Sequence, residues 1–220
     1  MATPRLEILR EPFAGAALLT GAVLGFLVML FHPTGHELVQ AADQAATIRR
    51  DRWVHALAIV AMGLQGLGAV GFVRRLAGVT LGLAELGAVA YALASVGGVI
   101  AALASGFMAP RLLAMGGGVP PPDLWRFNAH CNQVAAALYV VAGSVAIGAW
   151  SFADWRGALP RWLAGFGAVT STLAAPLVVV GHLRLDVHGF GAVVLAQGVF
   201  WCGAGVVLWR GPAGSVGAAA

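Results

Sequence analysis

The 220-residue sequence contains no lysine, two cysteines, two tyrosines and only 10% charged residues. Soluble domains carry about 25% charged residues, so a chain this poor in charge cannot clothe a surface facing water. No HExxH, CxxC or HxH pattern occurs, which removes the short-range zinc and dithiol motifs, and no phosphate-binding loop is present. Ser95 and Ser105 are the only plausible serines for Ser/His/Asp chemistry, and neither sits in a nucleophile-elbow context. All thirteen basic residues are arginine, a bias of GC-rich genomes and not of mechanism. The pI near 10.0 arises from few charges on a basic balance and does not argue for nucleic acid. Cys131 begins the fourth apolar run described below, whereas Cys202 lies well inside the sixth. At about 1.5 Å per helical residue their depths differ by roughly 15–20 Å. That excludes a disulfide and leaves the redox compartment unspecified.

What the chain does have is apolar length: 60% hydrophobic residues and a mean hydropathy of +0.85. About 20 apolar residues cross a hydrocarbon core. Six runs qualify, at about 13–31, 53–73, 79–105, 125–150, 162–181 and 188–209. They use up most of the sequence. The expected fold is therefore all-α: a polytopic integral membrane protein, 1–220 forming one domain of six transmembrane helices. The first run is longer than the apolar region of a signal peptide and is followed by HPTGHE instead of a cleavage site, so it reads as a retained helix.

The spans group as three hairpins, about 13–75, 79–157 and 162–211. The second helix of each begins near a histidine (WVH at 53–55, FNAHCNQ at 127–133, DVHGF at 186–190) and ends in arginine (VRR at 73–75, WRG at 155–157 and 209–211). The unequal spacings make this organisation and not a proven repeat. Trp53, Trp125, Trp150, Trp155, Trp162 and Trp209 stand near span ends, where indoles favour the headgroup level. Gly21 and Gly25 have the GxxxG spacing that lets helix backbones approach, and internal packing is the expected use.

The corner FHPTGHELV, 31–39, interrupts the first run. Pro33 disfavours a helical His32 and ends the span, while Thr34 and Glu37 fit a capping box that starts a new helix. His36, Gln40, Asp43 and Thr47 then recur at helical spacing, opposite Leu38, Ala42 and Ala45. A short amphipathic surface helix over about 35–50 is expected. The loop 109–123, with GGG and PPP, is expected to be irregular.

All six histidines, His32, His36, His55, His130, His182 and His188, fall at one membrane face, and the loops of the opposite face contain none. Converging imidazoles bind zinc, copper or haem iron. His55, His130 and His188 are the expected ligands, one from each hairpin, with His32, His36 and His182 as alternates. Asp186 and Glu37 are candidates to ligate or to orient a ring N–H. Met29, Met108, Met115 and Cys131 near this face, with Met62 one heptad beyond His55 on the same helical side, favour copper over zinc. For a haem the best pair is His55 with His130, and histidines on one face allow one haem at most. Hydrogen-bonded histidines with no ligand at all are the bland alternative. Glu85 is the only carboxylate well inside a span; it is expected either to pair with Arg74 or Arg75, or to serve a relay with Gln65 or Gln197. Asn128, Asn132 and Gln133 read as interhelical hydrogen-bonding residues.

These features lead to a histidine-rich copper, zinc or haem site at one membrane face, for redox chemistry or metal handling. The alternatives are a non-catalytic accessory subunit of a membrane complex, or a transporter coupled through Glu85. The expected partners are the bilayer and a membrane protein or second copy, with no nucleic acid. The expected location is a bacterial inner (plasma) membrane. With the N-terminus cytoplasmic, the inner segments hold Arg5, Arg10, Arg74, Arg75, Arg156, Arg161 and Arg210, against Arg49, Arg50, Arg52, Arg111, Arg126 and Arg184 outside.

Overall fold

Apolar length becomes helix throughout. A computed structural model describes residues 11–77, 81–153 and 159–211. Arg5, Arg10, Trp155 and Arg156 lie outside the described residues. The elements are α1 (Glu11–Leu30), α2 (Gly35–Gln40), α3 (Gln44–Ala77), α4 (Leu81–Leu103), a π-helical turn (Ala104–Met108), α5 (Ala109–Met115), α6 (Pro122–Ala153), α7 (Arg161–Val179) and α8 (Val187–Arg210). Six of these segments are long and apolar enough to cross a membrane, with α4, the π turn and α5 forming one. The chain is a multi-pass membrane protein.

Neighbours in the bundle follow chain order: α1 packs on α3, α3 on α4, α4 on α6, α6 on α7, and α8 returns to α1. The largest buried cluster joins α1, α3, α4, α6, α7 and α8. There Phe72, Tyr91, Trp150, Phe200 and Trp201 form an aromatic cluster with ring centroids 5.1–6.3 Å apart, mostly edge to face, the arrangement that aromatic quadrupoles favour. Trp150 is thus a core residue and not an interfacial one: it is fully buried, and its indole N–H donates to the Ala84 carbonyl at 3.1 Å. Trp53, Trp162 and Trp209 are exposed near helix ends, where the headgroup level is expected. Gly21 serves internal packing, since a Cβ there would stand 2.7 Å from the Ala61 carbonyl oxygen of α3. Arg75 ties three helices together, 3.1 Å from the Glu11 carboxylate and 3.5 Å from the Val207 carbonyl.

The histidine face departs from the expected boundaries in two places. The surface helix is α2 alone; Ala41 turns to extended backbone (φ −62°, ψ 137°), and the Asp43 carboxylate accepts from the Ala46 N–H at 2.8 Å to start α3. Residues 44–52 therefore belong to the second spanning helix. At 34 residues α3 is about 50 Å long, well beyond the hydrocarbon core. The loop expected over 109–123 is helical as far as Met115, and Gly117 and Gly118 stop it in left-handed conformations (φ 63° and 101°). Ahead of that helix, Pro110 has no N–H to give the carbonyl one turn back, and the chain passes through the π turn instead.

Candidate metal centre

The corner after α1 is built as its residues dictate. Glu37 N–H donates to the Thr34 hydroxyl, and Thr34 N–H to the Glu37 carboxylate, both at 3.2 Å, closing the capping box. Arg50 adds an ion pair to Glu37 at 3.0 Å, with both side chains about half exposed. This fixes α2 beside the start of α3 and aims His32 back toward that helix.

His32 meets His55 with the two Nε2 atoms 3.1 Å apart and the rings at 71°. The other nitrogens settle the tautomers. His32 Nδ1 lies 2.8 Å from the Pro33 carbonyl oxygen, and His55 Nδ1 lies 2.8 Å from the Asp51 carbonyl oxygen. A carbonyl only accepts, so each Nδ1 carries the hydrogen. In the neutral rings both Nε2 atoms are then lone pairs, and they face one another. Lone pairs at this distance repel, and the contact is relieved either by a proton on one Nε2, giving an N–H···N bond, or by a metal ion bound to both.

Asp51 completes the arrangement one turn before His55. It is 1% exposed, and its Oδ1 lies 3.1 Å from His55 Nδ1. Neither carboxylate oxygen has a hydrogen bond among the described residues, the Nδ1 hydrogen being directed at the Asp51 carbonyl. The proximity is thus coulombic. A buried carboxylate without hydrogen bonds needs positive charge close by. A cation bound at His55 Nε2 would place positive charge near this carboxylate through the ring, without the N–H···carboxylate bond of a carboxylate–histidine–metal triad.

The π turn closes the other side of His55. A Cβ at Gly106 would stand 2.6 Å from His55 Cγ and 2.9 Å from Nδ1, so only glycine admits the ring here. Helix α6 holds this turn: Asn128 donates to the Ala104 carbonyl at 3.1 Å and Asn132 to the Ser105 hydroxyl at 2.8 Å. Gln133 donates to the Leu185 carbonyl at 3.0 Å. All three expected polar residues of α6 therefore make interhelical or helix–loop bonds.

The remaining histidines are elsewhere. His36, His130, His182 and His188 are exposed, and none shares a hydrogen bond or ring contact with the His32–His55 pair. Three-hairpin convergence of His55, His130 and His188 is replaced by a pair contributed within the first hairpin. Asp186 caps α8, accepting from the His188 and Gly189 N–H groups at 3.1 and 2.9 Å, which hold its carboxyl below the ordinary range. Glu37 is occupied by the capping box and Arg50. Glu85 is exposed in the second turn of α4 and has no ion pair among the described residues, Arg75 being engaged by Glu11. Both cysteines are free.

An ion about 2.0–2.1 Å from each Nε2 would subtend an angle of roughly 100° across the 3.1 Å gap, close to tetrahedral. Asp51 lies behind the His55 ring and faces away from this gap. Accordingly no group of three or more His, Cys, Asp or Glu ligands is gathered among the described residues. The centre offers two imidazoles and leaves other coordination positions open. A porphyrin does not fit between these two rings, whose centroids are 4.7 Å apart.

Asp51 is the residue that sequence reasoning missed. Its signal was present, four residues before His55 and so on one helical face, but it disappears once the span is begun at Trp53. No protein-family model, no curated protein and no solved structure matches the chain.

Proposed function

We propose that this protein handles a transition-metal ion at one face of its membrane, holding it between His32 and His55 with Asp51 balancing the charge. The observation that carries the reading is the pair of opposed Nε2 lone pairs, 3.1 Å apart, each fixed by a carbonyl on the other side of its ring. Nitrogen donors bind copper most tightly among the divalent first-row ions, so copper stands ahead of zinc. Two protein ligands suit an ion that is passed on or that binds a further ligand, more than one locked in a closed structural site. With the N-terminus cytoplasmic, the centre faces the outer side of a bacterial inner membrane.

The test is a competition titration of the detergent-purified protein with copper and zinc. One equivalent should bind to the wild type. His32→Ala and His55→Ala should each weaken binding by about 100-fold or more, beyond the 10–100-fold typical of outer-shell changes. His36→Ala, His130→Ala, His182→Ala and His188→Ala should leave it within about twofold, as they have no part in the pair. Binding that survives both His32→Ala and His55→Ala, or no stoichiometric binding at all, overturns the proposal. In the latter case a proton is the remaining cation for the gap, and a low-field N–H resonance lost in His32→Ala would reveal it.

A further inference from the structure

A second polar feature lies between α6, α7 and α8 and shares no residue with the histidine pair. Helices α6, α7 and α8 enclose a cleft of about 200 Å³ lined chiefly by apolar side chains, among them Ile147, Ala174, Leu177 and Val193. Ser144 and Gln197 also line it, only 2% and 5% exposed, yet the Ser144 Oγ and the Gln197 Nε2 have no hydrogen-bond partner among the described residues. The cleft's other hydroxyls are committed to their own helix, Thr170 to the Phe166 carbonyl and Ser171 to the Ala168 carbonyl. Gly143 makes room for the amide: a Cβ there would lie 3.0 Å from Nε2 and 3.2 Å from Oε1 of Gln197. Leu173, Leu177 and Ala192 on the cleft's rim are exposed, so it opens toward lipid.

Unpaired polar groups in an apolar surround are costly, and two in one cleft point to an occupant that satisfies them. The amide Nε2 can only donate, and the serine hydroxyl is free to donate beside it. Their partner must accept hydrogen bonds, while the apolar lining requires the rest of it to be hydrocarbon.

We propose that this cleft binds an apolar molecule bearing a carbonyl group, taken up from the lipid phase, with Gln197 Nε2 and Ser144 Oγ donating to that carbonyl. Lipid offers this chemistry in two forms, a quinone-type ring and the ester of an acyl chain. The test uses the full chain in detergent and measures binding of four probes. A decyl-substituted benzoquinone is compared with decylbenzene, and a diester phosphatidylcholine with its diether counterpart.

One carbonyl probe should bind stoichiometrically, about five- to tenfold tighter than its carbonyl-free counterpart, the factor of roughly one retained hydrogen bond. Which one does so identifies the source. Gln197→Leu, similar in volume, should abolish that preference while thermal stability holds or rises and the protein still elutes as a monodisperse species. If Gln197→Leu does not fold, Ser144→Ala and the cleft-filling Ala174→Leu carry the same comparison. Equal binding of carbonyl and carbonyl-free probes, or an undiminished preference in the folded variants, overturns the proposal and leaves a cleft that holds water alone.

Discussion

His32 and His55 face each other Nε2 to Nε2 across 3.1 Å, with both Nδ1 atoms turned away to backbone carbonyls. Neither ring can relieve the contact by exchanging tautomers, since that would place a lone pair against a carbonyl oxygen. On the proposed reading this gap takes a cation, and the neighbours of the pair should influence that cation in distinct ways.

Asp51→Asn keeps the shape of the buried side chain and removes its charge. Copper affinity should fall by about 10-fold, toward the low end for outer-shell changes, because Asp51 acts on His55 by charge and not through a hydrogen bond. Stability of the metal-free protein should hold or rise, because an unbonded buried charge is removed. Parallel metal titration and thermal unfolding read the two effects, and their opposite direction distinguishes charge balance from packing.

Gly106→Ala puts a methyl group against the His55 ring. His55 is 5% exposed, its Nδ1 donates to the Asp51 carbonyl and its Nε2 abuts His32, so the ring has no free space to enter. The variant should lose about 1–3 kcal/mol of stability through overpacking and weaken metal binding at the same time. Unchanged copper affinity in folded Gly106→Ala would show that the π turn does not position His55.

Burial holds the His32 pKa below its ordinary value of 6.5, and the adjacent His55 pushes the same way, against the Pro33 carbonyl and the Asp51 and Glu37 carboxylates. Folded His32 therefore binds fewer protons than unfolded His32 between the depressed value and 6.5. Stability of the metal-free protein should rise with pH through that window and fall as pH drops from 6.5 toward the depressed value, levelling off below it. Protons also compete for the same Nε2, so metal should be released over the same range. Unfolding scans between about pH 5 and 8 should show this slope in the wild type and a flatter one in His32→Gln.

Glu85→Gln separates the metal reading from a transporter. The side chain is exposed near the start of α4 and unpaired among the described residues. Stability should hold or rise, because a charge without an ion-pair partner among the described residues is removed from a spanning helix. Metal binding should be unaffected. A large loss of ion flux in liposomes carrying Glu85→Gln would instead give this carboxylate the central role.

The sequence by itself determined the properties that depend on short stretches of chain. Apolar length set the six spans, Pro33 ended α1, Thr34 with Glu37 started α2, and the parity of the spans put every histidine on one face. These are local effects, decided within a turn or across one helix. Which histidines meet was left to the tertiary structure, because His32 and His55 are 23 positions apart and join only through the crossing of α1 and α3 with the corner between them. Burial of Asp51 depended on α3 beginning at Gln44, a boundary set by the Asp43 cap and hidden by the polar composition of residues 44–52. Trp150 likewise stands at the end of an apolar run, but packing of Phe72, Phe200 and Trp201 around it made it core. In lipid, hydrophobicity tells a residue to be in the membrane without telling it which neighbour to face. That choice was made by close approach at Gly106, by the asparagines that hold the π turn, and by the carbonyls that fix two imidazoles toward one gap.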